Sequence, residues 1–285
     1  MPRPYNLDTL IELAISEDIP DRDITTDAIF GENSSKHATA QIIANEELIL
    51  SGSSVFKRFW ELFDVTMHVS SHHDDGDSIQ KGDVVFSLSG NTSHILSGER
   101  VSLNFLQHLS GIATHTKKFV DVLRDTKIQI LDTRKTTPGL RSLEKEAVVH
   151  GGAYNHRKSL SDAILIKDNH IQGAGTIENA MTRCKDAIRN RKPLIPIEIE
   201  IDRVSDIEIA LRYQPDIILL DNMSIPDIER ATLLINGRSK IEVSGGVTRE
   251  NLHLYKNLTI DTISIGSLIK GAKYVDFSLE LIQDT

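Results

Sequence analysis

Between Leu131 and His170 the chain gathers Arg134, Lys135, His156, Arg157, Lys167 and His170, in a protein whose formal net charge is −9. Cations concentrated in one stretch of an acidic chain need an anionic counterpart. Arg134 and Lys135 follow the apolar run 128–131, and Lys167 follows the run 163–166. Each cation therefore falls where a short buried strand ends, and in parallel α/β folds ligands bind at strand ends. The pattern points to a small, highly anionic substrate.

Other apolar runs end in chemistry of their own. Glu200 closes one, Asp221 and Asn222 another, Ser244, Gly245 and Gly246 a third, and Gly266 and Ser267 the last. In a barrel all of these exits converge on one mouth. Glycine lets backbone N–H groups approach phosphate oxygens, so VSGGV and SIGS read as a phosphate cradle. Glu200 and Asp221 offer carboxylates on neighbouring strands, suited to ribose hydroxyls, to Mg²⁺ with a diphosphate, or to a cationic transition state. A salt bridge of either acid with Lys135 or Lys167 is the purely structural alternative. Glu198 and Glu200 lie two apart on one strand and face the same side. Glu200 is placed at the mouth, and Glu198 one layer deeper with a buried cation as its partner.

The elements that must hold these residues follow from periodicity. Six apolar runs, at 128–131, 163–166, 197–201, 217–220, 241–243 and 262–265, alternate with helical segments at 141–149, 176–189, 204–212, 225–235 and 249–256. Such alternation implies parallel strands with right-handed crossovers. Six is short of eight, so an irregular, incomplete barrel is expected, with a further strand possible in 150–155. The chain before it reads as an antiparallel sheet with a helix or two. Its expected parts are a helix over 7–16, a hairpin over 37–50 broken at Asn45, Glu46 and Glu47, and strands at 66–69 and 83–88. A long helical stretch over 93–123, begun by Ser97 to Arg100, carries Leu103, Leu106, Leu109 and Ile112 on one stripe; Gly111 suggests two helices meeting. Arg100 then sits near a helix start, where a cation gains nothing from the helix dipole. Either a partner carboxylate or an anionic ligand accounts for it. His68, His72 and His73, beside Asp74 and Asp75, read as a solvated loop, because metal sites need convergent ligands.

The chain's 285 residues, 39% hydrophobic and 26% charged, suit one large domain or two ordinary ones. The expected division is an N-terminal α/β domain over 1–112 and a barrel over 113–274, with the tail from about 275 to 285 packing on the first. The acidic balance argues against nucleic-acid or membrane-surface binding, and no apolar run approaches the ~18 residues of a membrane span. The lone cysteine, Cys184, excludes an intramolecular disulfide and fits a reducing cytoplasm. It lies among helical residues, where buried filler is the expected role. The opening MPRPYNLDTL has no apolar signal-peptide core. A cytoplasmic protein is expected.

In this order, the stretches EDIPDRDITT, GERVSLNFLQHLSGIAT, LDTRKTTPGLR, GGAYNHR, DAILIKDNHI, IEIEI, ILLDNMS, VSGGVT and ISIGSL resemble the quinolinate phosphoribosyltransferase family, over nearly the whole chain. The resemblance implies an N-terminal open-faced α/β sandwich followed by a partial, TIM-like α/β barrel. It implies transfer of the phosphoribosyl group of phosphoribosyl pyrophosphate to quinolinate with loss of CO₂, giving nicotinate mononucleotide and pyrophosphate for NAD synthesis, with Mg²⁺. By position in the motifs, Arg134, His156 and Arg157 would hold the two quinolinate carboxylates, with Lys135 bordering both substrates. Lys135, Lys167, His170, Glu200, Asp221, Ser244, Gly245, Gly246 and Gly266 would meet phosphoribosyl pyrophosphate, and Glu200 and Asp221 would face the metal. Lys135, Glu200 and Asp221 are the expected catalytic groups; Lys135 or His156 would protonate the ring carbon. The family's counterpart of Arg100 comes from a neighbouring subunit, which implies a homodimer or a larger assembly. The chain departs from family usage at Lys158, Ser159, Leu160 and Ser161, and at Ile269 and Lys270. A nicotinate-type transferase and a non-catalytic, molybdenum-transport-associated homologue are the alternatives. The second lacks the full DTRKT, NHR and KDNH set.

Overall fold

The computed structural model describes residues 7–31, 36–190 and 195–282. In chain order its strands are β1 (His37–Ala44), β2 (Leu48–Ile49), β3 (His68–Ser71), β4 (Ser78–Ile79), β5 (Val84–Asn91), β6 (Gln129–Leu131), β7 (Ile164–Ile166), β8 (Ile197–Ile201), β9 (Ile217–Asp221), β10 (Lys240–Ser244), β11 (Thr262–Ser264) and β12 (Phe277–Ile282). They form a four-stranded sheet ordered β12-β1-β5-β3, a β2-β4 pair, and a six-stranded sheet ordered β6-β11-β10-β9-β8-β7. The chain divides into two compact units. One holds the residues up to Lys117, Thr136–Gly152 and those from Gly271 on; the other holds Lys118–Lys135 and Ala153–Lys270.

The first unit is antiparallel. Alternation along β1 buries Ala40, Ile42 and Ala44 on one face. The hairpin expected across Asn45, Glu46 and Glu47 does not form. Both edges of β1 are already taken, by β5 and by the C-terminal β12 with Ile42 opposite Leu279, while β2 pairs with β4. Residues 283–285 of the expected tail lie outside the described residues. Helix Ser53–Phe63 presents Val55, Phe56, Phe59 and Trp60, all fully buried, and Phe56 stacks on Phe86 of β5 at 4.4 Å. The three histidines do not converge: His68 is exposed, His72 Nε2 meets Ser87 Oγ at 2.8 Å, and His73 Nδ1 lies 4.0 Å from Asp77.

Helix Thr92–Leu123 runs unbroken through Gly111, contrary to the sequence expectation of two helices. A Cβ at Gly111 would lie 2.2 Å from the Lys273 carbonyl oxygen. The glycine is there for close backbone approach. The helix also begins at Thr92, so Arg100 lies well inside it and not at its start. Its side chain is 59% exposed, with Nη2 3.6 Å from Glu99 Oε1. Helix Arg141–His150 groups with this unit as well. It is held by His108 Nε2 at 2.9 Å from the buried Glu144, and by Gly151, whose missing Cβ leaves room for the Ala113 carbonyl.

The second unit reproduces the six apolar runs as six parallel strands. Tyr154 adds a parallel bridge beside Leu131: its N–H donates to the Ile130 carbonyl at 2.9 Å, and its carbonyl accepts from the Asp132 N–H at 3.0 Å. In sequence order β6, Tyr154, β7, β8, β9, β10 and β11 make a ring that returns to β6. Among the described residues, the ladder is missing only between Tyr154 and β7. This is the irregular barrel, with a single bridge at Tyr154 in place of the further strand that 150–155 suggested. The register matches Leu165 with Glu198, Glu200 with Leu219, Leu219 with Glu242, Asp221 with Ser244 and Ser244 with Ser264. Residues in register share a face, so Glu198, Glu200, Asp221, Glu242 and Ser244 all project to the same side. The opposite side carries Ile199, Ile218, Leu220, Ile241, Val243 and Ile263, all buried. Helices Ile177–Ile188 and Ile225–Ile235 bury Met181, Ile228 and Ala231. Ser224 caps the second helix on the Asp227 N–H and Asn236 ends it at φ +45°.

Gly111→Ala should destabilise the protein by roughly 2 kcal/mol or more in denaturant unfolding. Overpacking against the Lys273 carbonyl outweighs the gain of up to about 1 kcal/mol that alanine brings to a helix interior. A variant as stable as the parent would contradict the close-approach account.

Candidate active site

The site begins with Asp132. It follows β6, is fully buried, and its Oδ1 accepts the His156 N–H at 2.8 Å. That bond fastens the stretch after Tyr154 to the end of β6, and so brings His156 and Arg157 beside Arg134. The two guanidinium groups are close enough to feel each other. Burial first, and then the like charge of Arg134, lower the pKa of Arg157, with Glu198 and Asp162 pulling the other way. Arg134 Nε is buried with no hydrogen-bond partner. An orphaned cationic donor beside a second guanidinium is an arrangement that an anion with two acidic groups completes.

His156 is locked from both sides. Its Nδ1 accepts the Arg157 N–H at 2.7 Å, which leaves the ring proton on Nε2. Nε2 points to Glu198 Oε2 at 3.1 Å and lies 3.5 Å from Glu242 Oε1. The deeper partner expected for Glu198 is thus an imidazole. Glu242 was not singled out from the sequence, although a charged residue between Ile241 and Val243, in a strand buried on both faces, is a signal. Glu242 is 1% exposed. Burial, followed by the charge of Glu198, raises its pKa to about 7, against the pull of His156, Ser264 and Thr262. His156, Glu198 and Glu242 are also close enough together to be considered as metal ligands.

At the strand ends, Lys167 has extended backbone, and its Nζ meets Glu200 Oε2 at 2.5 Å. This is the structural pairing that the sequence left open. His170 Nδ1 accepts the Lys167 N–H at 3.0 Å, which fixes the turn into helix Asp168–Ala174. Asp221 Oδ2 accepts from Asn222 Nδ2 at 2.6 Å. Gly245 and Gly246 follow Ser244 with φ of +88° and +63°. A Cβ on Gly245 would sit 2.2 Å from Asn222 Oδ1, so only glycine lets these two strand exits meet. The Lys135 side chain lies across Gly266, with Cδ 2.9 Å from where a Cβ would be. The variant loop is ordered by Asp162, whose carboxylate accepts the N–H groups of Lys158 and Ser159 at 2.7 and 2.9 Å. Ile269 is buried in helix Ser267–Lys270. The second unit therefore brings together Arg134, His156 and Arg157 in one group, Lys167 with Glu200 in another, and Lys135 with Gly266 in a third. Arg100 lies in the first unit. Cys184 is half-buried in helix Ile177–Ile188, where burial raises its thiol pKa.

The chain is similar to known proteins over nearly its whole length. Residues 23–110 match the N-terminal domain of quinolinate phosphoribosyl transferase, and residues 112–280 match its C-terminal domain. A probable carboxylating nicotinate-nucleotide pyrophosphorylase of Bacillus subtilis is 42% identical over 265 residues, covering 93% of this chain and 90% of the relative. A mitochondrial decarboxylating quinolinate phosphoribosyltransferase of Nicotiana tabacum is 36% identical, covering 97% and 82%. The crystal structure of NadC from Streptococcus pyogenes is similar at a TM-score of 0.91 and 40% identity, covering 99% of both chains.

Because folding raises the pKa of Glu242 from its ordinary 4.5 to about 7, the unfolded chain loses this proton at lower pH than the folded one. The stability that Glu242 contributes is therefore full below pH 4.5, falls between 4.5 and 7, and is level above. The fall is on the order of 3 kcal/mol at about 1.4 kcal/mol per pH unit. Glu242→Gln should remove that slope in denaturant unfolding followed across the window. An identical slope in both proteins would contradict the buried acid.

Proposed function

Because the chain belongs to the quinolinate phosphoribosyltransferase family, we propose that the polar face of its parallel sheet joins quinolinate to phosphoribosyl pyrophosphate. The products are nicotinate mononucleotide, pyrophosphate and CO₂, as in the synthesis of NAD. The observation that carries the reading is the Asp132-fastened pair of Arg134 and Arg157, with Arg134 Nε buried and unpartnered. Two guanidinium forks suit a substrate with two carboxylates, and a monocarboxylate such as nicotinate would leave one fork unused.

In this reading the bond between the ribose C1 atom and pyrophosphate breaks, the leaving oxygen takes the electron pair, and positive charge develops on the ribose. The carboxylates of Glu200 and Asp221, ending neighbouring strands on the shared face, stabilise that charge. Lys167 exchanges Glu200 for the diphosphate, with His170 at the same turn. The glycine exits at Ser244, Gly245, Gly246 and Gly266 receive the 5′-phosphate. The quinolinate nitrogen adds to the ribose carbon. The pyridinium so formed accepts the electron pair of the bond to the departing carboxylate, and CO₂ leaves. The ring carbon then takes a proton. Both nitrogens of His156 are engaged within the protein, which favours the Lys135 ammonium, exposed beside Gly266, as the donor. The enzyme's contribution is orientation and placement of charge.

Glu200 and Asp221 are oxygen donors at the half-exposed ends of adjacent strands. Such a set fits Mg²⁺, which is commonly held by one or two carboxylates together with substrate phosphates. Bound there, the ion would neutralise charge on the diphosphate. The exposed Arg100 is assigned to the site of a neighbouring subunit, in a homodimer or larger assembly. The single cysteine supports a cytoplasmic setting. Among the described residues no helix is long and apolar enough to cross a membrane.

Arg134→Ala should raise the KM for quinolinate by about 100-fold, the loss of one charge-assisted bidentate contact, and leave the KM for phosphoribosyl pyrophosphate within about twofold. Steady-state rates with each substrate varied in turn decide it. An unchanged quinolinate KM would remove Arg134 from the clamp.

A further inference from the structure

We propose that Asn222 is a positioning residue for Asp221: its side-chain amide fixes the Asp221 carboxylate relative to the glycine exit at Gly245, so that the acid facing the ribose and the loop receiving the 5′-phosphate are set together before substrate arrives. The inference rests on the phosphoribosyl-transfer reading of this face and gives a task to a residue that the reading leaves without one.

Asn222 stands first after β9, with φ +53°. Among the described residues, the other side-chained positions with positive φ are Gln214 and Asn236. Both lie just past helix ends, where a left-handed turn is ordinary. At the end of a parallel strand it has no such task, and a left-handed residue other than glycine persists where its surroundings hold it. Three contacts do so here. The Asn222 N–H donates to the Ser244 carbonyl at 2.9 Å, which ties the turn out of β9 to the end of β10, where Asp221 and Ser244 are in register. Asn222 Nδ2 donates to Asp221 Oδ2 at 2.6 Å. On the other side of the amide, a Cβ on Gly245 would stand 2.2 Å from Oδ1, so the amide lies close against the Gly245 backbone. Turned over, it would set its oxygen against the carboxylate, and the donor faces the acid for that reason.

The choice of a neutral amide suits the work assigned to the acid. Glu200 is paired with the Lys167 ammonium, which offsets its charge. Among the described residues no cation pairs with Asp221, and its side chain is oriented by Asn222 instead. A neutral donor fixes one carboxylate oxygen and leaves the full negative charge, with Oδ1, for the positive charge that develops on the ribose. Orientation of that charge before the reaction is what electrostatic stabilisation needs, and a misplaced group is costly even when it remains present.

Two substitutions separate the amide from the backbone turn. Asn222→Gly removes the donor and keeps a residue at ease with positive φ. Asn222→Asp keeps the size and the tolerance of a left-handed backbone, and replaces the donor by an acceptor facing Asp221. Both are compared with the wild type in steady-state assays with phosphoribosyl pyrophosphate, Mg²⁺ and quinolinate, in calorimetric titration with quinolinate, and in denaturant unfolding. The expected result is a fall of about 30-fold in kcat/KM for phosphoribosyl pyrophosphate in Asn222→Gly, the scale of one hydrogen bond to a charged group, and at least as large a fall in Asn222→Asp. Quinolinate affinity should stay within twofold and Asn222→Gly should unfold with the parent. Wild-type rates in Asn222→Gly would overturn the proposal, because the residue would then serve only the turn. Wild-type rates in Asn222→Asp would overturn it too, as would a loss of quinolinate affinity equal to the loss in kcat/KM. If Asn222→Asp does not fold, Asn222→Gly still decides. A wild-type protein without turnover would sink the functional reading and this inference with it, whereas wild-type turnover that both variants retain sinks the inference alone.

Discussion

The hydrogen bond from the His156 N–H to Asp132 Oδ1 makes one site out of two separate stretches of chain. Arg134 leaves the end of β6, and Arg157 follows the single bridge at Tyr154. Neither a regular ladder nor a helix joins these positions. The bridge gives Tyr154 only two backbone hydrogen bonds to β6, and Asp132 extends the attachment to the residue next to Arg157. Because Asp132 is wholly buried, its acceptor is not shared with water, and losing it would leave a buried donor unsatisfied.

From that attachment the electrostatics follow. His156, placed by its backbone, accepts the Arg157 N–H and so must aim its remaining proton at Glu198 and Glu242. Two guanidinium groups, two buried acids and one imidazole lie close together, where an unbalanced charge is costly. Arg157 carries the strain of this crowding in its lowered pKa, and Glu242 in its raised one. Nearer the strand ends, the Lys167–Glu200 pair is more exposed on its lysine side. The deep part of the site is tightly paired and the outer part more open to solvent. That division suits a reaction in which an aromatic diacid must be held still while a pyrophosphate leaves.

Much of this was legible in the chain itself. Six parallel strands stood out because both their faces are buried, which makes their apolar runs dense and their polar exits conspicuous. The clustering of cations between Leu131 and His170 pointed to the stretch in which Arg134, His156 and Arg157 come together. Other features depend on contacts between distant residues. The partner of β1 is β12, more than two hundred residues away in sequence, so the local alternation around Asn45 suggested a hairpin instead. Gly111 looked like a helix break because glycine weakens helices; its purpose is a carbonyl contact at Lys273 that no local pattern encodes. Glu242 passed as an interruption in an apolar run. Its meaning appears only when the register places it across from Glu198 and beneath His156.

The central claim is that this face of the sheet is built for a diacid and decarboxylates it. It is tested most directly by supplying the protein with phosphoribosyl pyrophosphate, Mg²⁺ and either quinolinate or nicotinate, and following nicotinate mononucleotide together with CO₂. The account predicts turnover of quinolinate with equal amounts of the two products, and no comparable turnover of nicotinate. Turnover of nicotinate alone, or no product from folded protein that binds both substrates, would contradict it.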